Sequence, residues 1–373
     1  MKKNTNLKLM IFSFLLVINS FSYSTTPTID NGAGEDSIIA GISNEATGTY
    51  ASAFGQDNKA NAFGASAFGK ENKVVAVHGS GFGYLNNVIG SYASAFGNKN
   101  TAGGERSVVF GNSSTANGVN SVVFGSEFKF YKDGNLVKED TNSAHGDRSV
   151  VMGLANFTRP EATGAVAVGA FNIANGIGSM AIGAGYYNEA NNKIEYNKAS
   201  GFHSLAIGSN NEASGGWSAS LGTGNSSKNL NSSAIGVDNT AEAESSAAYG
   251  FRNFAKGINS VAFGASFNAL DEDGQTINQS INNIAEGSRS TVMGLGNSTG
   301  KDAKGGVAIG AFNKATGEGS MAIGAGYYEE GDEEEQTQDE VRYNIASGYR
   351  SLAVGTNNNA SGDWSVSFEF RDW

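Results

Sequence analysis

Residues 51–69 read ASAFGQDNKANAFGASAFG, and the spacing inside this stretch decides the fold. The unit small-x-Ala/Val-x-Gly, ASAFG at 51–55, returns as SVVFG at 107–111, SMAIG at 179–183 and SLAVG at 351–355. Its closing glycines fall at 41, 55, 69, 83, 97, 111 and 125, each 14 residues from the last. The same step recurs from 208 to 264 and from 310 to 324. Three residues past the motif glycine stands an asparagine (Asn58, Asn100, Asn172, Asn211, Asn239, Asn253, Asn313, Asn358), followed two residues later by alanine and often by a midpoint glycine such as Gly104 or Gly215. Helix-bearing repeats need about 20–45 residues, so 14 is too short for them. Alternation within the motif follows a strand period of two and not the helical 3.6. The spacing therefore predicts an all-β chain, a parallel β-roll or solenoid of 14-residue coils with two short strands and two turns per coil.

The side chains assign roles to the two faces. Ser/Ala, Ala/Val and Gly of the motif point one way, and Met, Leu, Ile, Val and Phe point the other. A strand apolar on both faces wants burial on both. The small residues can fill the thin interior, while the bulky row needs a partner surface, so an obligate homo-oligomer is expected. The recurrent asparagines are expected to stack as a hydrogen-bonded ladder. The glycines are expected at the corners, where positive φ and close backbone approach favour them.

Four intervals break the period: Gly125–Gly153, Gly183–Gly208, Gly264–Gly294 and Gly324–Gly355. They form two pairs, because a longer duplication relates Gly97 to Gly236 (139 residues), Gly169 to Gly310 (141) and Trp217 to Trp364 (147). In the first pair, Asp133-Gly134 between alternating residues predicts a hairpin with a type I′ turn; the second copy has Asp271-Glu272-Asp273-Gly274 there, without the ligand spacing of a calcium loop. Both members of the second pair open with GAGYY, and residues 329–340 carry eight acidic groups and no basic one, the pattern of a solvated loop. Phe128, Phe130, Tyr131, Tyr186, Tyr187, Tyr327 and Tyr328 are the candidate receptor-binding residues, since loops on rigid scaffolds carry recognition and aromatics enrich hot spots. The same rings can instead clamp each insert onto its own or a neighbouring roll, and that is the favoured reading.

Composition removes several functions. The 373 residues hold 52 glycines, about twice the ordinary ~7%, with 2 prolines and no cysteine. Disulfides, thiolate chemistry and Cys-ligated metals are out. A net charge of −11 argues against a nucleic-acid partner. The only histidines are His78, His145 and His203, without metal-ligand spacing and best read as surface residues. The elbow-like GNSTG at 296–300 lacks a strand–turn–helix setting. No catalytic, cofactor-binding or metal residue is assigned. At the start, Lys2, Lys3 and Lys8 precede an apolar Leu9–Ile18 and the small Ser22 and Ser24, the pattern of an export signal over 1–24.

SVVFG, SMAIG and SLAIG in a 14-residue register, with the Asn-x-Ala-x-Gly half-unit, resemble the head repeats of trimeric autotransporter adhesins of the YadA type. The resemblance spans residues 37–368 and implies left-handed parallel β-rolls that trimerise on the surface of a Gram-negative bacterium, with the longer interruptions as head inserts. It further implies non-catalytic attachment to host surface glycoproteins or matrix proteins, carcinoembryonic-antigen-type receptors, collagen and fibronectin among them. The expected organisation is a signal peptide (1–24), an N-terminal linker (25–36), the β-roll head (37–368, inserts about 126–145, 184–199, 265–286 and 325–346) and a truncated end (369–373), where Glu369 replaces the due glycine. Stalk and membrane anchor, through which the family meets the membrane, lie outside this pattern, so the chain is exported and either surface-held or secreted. The alternative function is a secreted β-solenoid enzyme acting on polysaccharide; an ice-binding solenoid would need Thr-x-Thr arrays that are missing.

Overall fold

The computed structural model describes residues 28–270, 276–329 and 340–369. Among them there is no helix; the elements are strands and turns. In a representative coil, Ser52–Gln56 forms the longer strand, Asp57 turns the chain at φ 56°, Asn58 is buried, and Lys59–Ala60 forms the short strand before the turn into the next coil. The longer strands line up in one 21-stranded sheet and the short strands in a second ladder of 19. Pairing is parallel with like residues opposite like: Ser52↔Ser66, Ala53↔Ala67, Phe54↔Phe68, Gly55↔Gly69. The exception is Thr28–Asn31, which pairs antiparallel with Ile38–Ile42 and covers the open edge of the first coil.

The interior is made mainly of alanine and valine, with hydroxyl pairs such as Ser220–Ser227 (2.7 Å) in a few coils, and its volume is balanced locally. Ala53 with Ala60 is the common pairing, both buried. Where the short strands carry Val74 and Val88, the facing motif position is Gly81, and a Cβ there would lie 2.9 Å from Val74 Cγ2. Such close packing leaves little room for an added methylene.

Buried asparagines form the ladder expected from their spacing. Asn72 Nδ2 donates to Asn58 Oδ1 (2.9 Å), to Phe68 O (2.9 Å) and to Gly83 O (2.8 Å), while Asn58 Oδ1 also accepts the Asn72 backbone N–H (3.1 Å). Each amide thereby satisfies backbone groups of its own coil and its neighbours. One rung differs: Ser114 follows Asn100, and its hydroxyl donates to Gly125 O at 3.2 Å.

The glycines need a correction. The midpoint residues are not the positive-φ corners: Gly104 is absent from that region, and Arg106, two residues on, adopts φ 54°. Glycine is required at 104 because a Cβ would sit 2.1 Å from Gly118 O in the next coil. The motif glycines combine both reasons; Gly55 has φ 116° and a Cβ would lie 2.0 Å from Gly69 O.

Insertions leave the register intact, since Gly125 pairs with Gly153, Gly183 with Gly208, Gly264 with Gly294 and Gly324 with Gly355. All four loop out as antiparallel hairpins: Phe128–Lys132 with Asn135–Asp140, Tyr186–Asn188 with Lys193–Glu195, Phe267–Leu270 with Thr276–Ile281, and Tyr327–Glu329 with Glu340–Arg342. Positive φ at Asp133 (51°) and Gly134 (79°) matches the predicted type I′ turn. The second pair of inserts likewise has paired stems. The export signal, the Asp271–Gly274 cluster, the acidic run between 330 and 339 and the last four residues lie outside the described residues.

Candidate interaction surfaces

Three surfaces stand out from the roll. The first is the outward face of the long-strand sheet. Phe54, Phe68, Phe82, Phe96, Phe110 and Phe124 stack with centroids 4.5–5.1 Å apart and planes within 7° of parallel. Because the register never slips, the row continues through Met152, Ile182, Ile207, Ile235, Phe263, Met293 and Ile323. These side chains are half-buried or exposed, as the sequence pattern requires of a face that lacks its cover. At ~4.8 Å per coil, some twenty coils make an apolar stripe on the order of 90 Å long.

The second surface is built by the hairpins, which dock in pairs. Phe128 lies edge-on to Phe171 (4.9 Å) and tilts against Tyr187 (5.6 Å); Phe130 meets the same tyrosine at 4.7 Å. Ala155, Phe171 and Ile194 form the floor of this satellite core. Tyr187 O–H donates to Asn192 Oδ1 (2.7 Å), and Tyr196 O–H donates to Asp140, joining the two hairpins. Burial and then the adjacent Asp140 carboxylate push the Tyr196 phenol well above its usual range. The second copy repeats the clamp, with Phe267 5.1 Å from both Phe312 and Tyr328. Its polar joint differs: Tyr343 takes the place of Tyr196, and Lys314 Nζ sits 3.4 Å from the centre of the Tyr343 ring. Burial holds the Lys314 ammonium below its usual range and raises Tyr343. At the stem of the first hairpin, burial raises Glu127, but hydrogen bonding led by Lys129 outweighs it and keeps the carboxyl below normal.

The sequence-predicted aromatic residues thus separate. Phe128, Phe130, Tyr187 and Tyr328 pack within the hairpin clusters, and Tyr327 is half-buried. Tyr131 (56% exposed) and Tyr186 (47%) face solvent, beside exposed Leu136 and Val137. Sequence reading missed Phe171 and Phe312, the rings that receive the clamps. Their signal was available: they stand just before the ladder asparagine, where other coils carry Asp57, Lys99 or Asn210.

The third surface is the outer side of the short strands. A shallow groove of ≈ 340 Å³ runs between Thr240, Phe254 and Ile284 on one side and Lys228, Glu242 and Lys256 on the other. Its charges are paired along the roll, Lys228 with Glu242 (2.9 Å) and Lys256 with Glu286 (3.0 Å). A second groove of ≈ 270 Å³ lies under the second hairpin, between Tyr196, Lys198 and Glu212. The histidines are not brought together. His78 stacks on Tyr92 (5.3 Å), His203 on Trp217 (4.5 Å), and His145 packs near Phe157, where burial lowers its pKa. Among the described residues no cluster of three or more His, Asp and Glu side chains suited to a metal ion occurs.

Comparison with known proteins returns one family, described as the YadA head domain repeat. It matches residues 46–72, 89–114, 102–127, 161–185, 199–225, 227–253, 302–326 and 346–368, together just over half of the chain. No curated protein matches the sequence. The matched segments are runs of regular coils, and the hairpin tips fall between them.

Proposed function

Since the chain belongs to the YadA head-repeat family, whose members are adhesins, we propose that it forms the head of a homotrimeric surface adhesin that holds a bacterium to host tissue. The partner is a host cell-surface glycoprotein or matrix protein, of the carcinoembryonic-antigen-receptor, collagen or fibronectin kind, and no reaction is catalysed. Residues 1–24 direct export, and the head acts outside the cell.

The observation that carries this reading is the apolar stripe. Largest apolar patches on monomers measure about 300–600 Å²; a stripe on the order of 90 Å long and about 7 Å wide covers roughly 600 Å², the upper end of that range, in one continuous row. Three copies around one axis turn their stripes inward and leave the short strands and the hairpins outside. The product is a stiff rod whose regular coils are scaffold and whose variable parts are available for recognition. Pairing of the groove carboxylates with lysines on adjacent coils supports binding over acid–base chemistry.

The test is binding of the full chain, and of a variant with the four hairpins replaced by regular turns, to immobilised collagen, fibronectin and a carcinoembryonic-antigen-type ectodomain. Saturable binding by the full chain is expected. Absence of binding across the panel together with turnover of a polysaccharide would overturn the proposal.

A further inference from the structure

The corner that precedes each long strand is left-handed all along the roll, and half of the coils place a bulky residue there. Tyr50, His78, Tyr92, Arg106, Trp217, Arg350 and Trp364 all adopt φ between 49° and 60°. Glycine occurs in this row at 64, 164, 178, 305 and 319. Three of these have a reason inside the chain: a Cβ at Gly64 or Gly178 would lie 2.5 or 2.6 Å from the imidazole of His78 or His203, and one at Gly319 would lie 3.3 Å from Arg350 Cγ. Gly164 and Gly305 have none. Both are exposed, nothing stands within 4 Å of a Cβ at either, and their φ (70° and 69°) is close to that which the row gives to tryptophan.

These two glycines belong to the two coils that carry the hairpin clamps. Gly164 leads into the strand Val166–Ala170, directly before Phe171, and Gly305 into the strand Val307–Ala311, directly before Phe312. The same coils are 16 residues long, from Gly153 to Gly169 and from Gly294 to Gly310, with the additional length in the turn before the glycine. At each of these levels one edge of the roll bulges with a hairpin pair and the other edge is broadened and cut back to glycine. Both copies of the duplication keep this arrangement although the turn residues have diverged, Arg159, Pro160 and Thr163 becoming Gly300, Lys301 and Lys304.

We infer that in the assembly the hairpin pair of one chain seats against the glycine corner of the next chain at the same level, on Gly164 for the first pair and Gly305 for the second. This rests on the trimer proposed above. The two edges flank the sheet that faces the axis, so a three-chain ring brings one edge of each chain against the opposite edge of its neighbour. Cyclic symmetry contains no translation along the axis, and coil therefore meets equivalent coil within about half a ~4.8 Å step. Charges on another coil fit the same scheme, with Glu244 falling level with Arg252. The exposed Tyr131, Leu136, Val137 and Tyr186 are the hairpin side chains available to the neighbour.

The experiment compares the full chain with Gly164→Ala and Gly164→Trp by sedimentation over a concentration series. Both variants share the positive-φ penalty, and in the free chain the position is exposed with nothing within 4 Å of a Cβ. Assembly is expected to survive in Gly164→Ala and to weaken by about tenfold or more in Gly164→Trp. Independently, Ser245→Cys chains mixed with Arg252→Cys chains are expected to form interchain disulfides on oxidation, and neither is expected to cross-link with itself. A trimer that tolerates Gly164→Trp, or one in which Ser245→Cys cross-links alone, overturns the seat and leaves the trimer standing. A wild-type chain that does not assemble overturns the trimer and the seat together.

Discussion

Replacing Asn239 by alanine removes one rung from the centre of the asparagine ladder, and its effect can be worked through bond by bond. Asn239 Nδ2 donates to Asn225 Oδ1 (3.0 Å), Ile235 O (3.0 Å) and Gly250 O (2.7 Å). Its Oδ1 accepts the Asn253 backbone N–H (3.0 Å) and Asn253 Nδ2 (2.8 Å). After truncation Asn225 Oδ1 keeps the Asn239 backbone N–H, and Asn253 Nδ2 keeps Tyr249 O and Gly264 O. The Asn253 backbone N–H loses its acceptor in a fully buried position. An orphaned buried donor costs about 1–3 kcal/mol and each of the four further lost bonds about 1 kcal/mol, so a loss of about 5–7 kcal/mol is expected. In a stacked array the damage is felt by neighbouring coils first. Hydrogen exchange is the suitable assay: protection of the Asn253 amide should fall by about 1,000-fold or more, as 1.4 kcal/mol per factor of ten requires. Asn239→Ser should lose less, since the natural Ser114 rung retains a hydroxyl bond. A loss below tenfold at Asn253 would refute the reasoning.

Ser114→Asn should complete the interrupted rung and stabilise the adjoining coils by about 0.5–1.5 kcal/mol, read as a rise in their denaturation midpoint. Gly81→Ala should cost about 1–3 kcal/mol through overpacking against Val74. Combined with Val74→Ala it restores the common alanine pairing, and a double-mutant cycle should show the two changes strongly coupled. Lys314→Ile, which installs the residue of the first copy (Ile173), should leave stability within about 1 kcal/mol, because relief of a desolvated ammonium offsets loss of the ring contact. His145 is held below its ordinary pKa by burial, so the fold favours its neutral form. Its contribution is complete above the unfolded pKa of about 6.5 and is lost as pH falls toward the folded value. Protection of the coil around His145 should therefore decline between pH 7.5 and 5, and His145→Gln should remove that decline.

The 14-residue spacing made the regular coils legible: the alternation of ASAFG places Ala53 inside and Phe54 outside, and Asn58 in the ladder. Repeats disclose their roles because each position samples the same environment many times. The corner glycines were legible, but sequence does not say which of glycine's two uses applies: at Gly104 it is a backbone 2.1 Å from a Cβ and not positive φ. The hairpin clamps were legible only in part. Phe128 and Tyr187 announced themselves as aromatics in inserts, but their partner Phe171 sits in a regular coil, and contact between them depends on how two looped-out segments lie across the roll. The divergence of Tyr196–Asp140 into Tyr343–Lys314 likewise emerges only when the stems are placed side by side.

The trimer proposed above requires the unbroken row from Phe54 to Ile323 to meet sister chains. Sedimentation equilibrium of the full chain at micromolar concentration tests it most directly. A particle of three times the 38.5 kDa chain mass is expected, dissociating when Phe96 and Phe110 are both changed to aspartate. A folded single chain of 38.5 kDa under those conditions would contradict it.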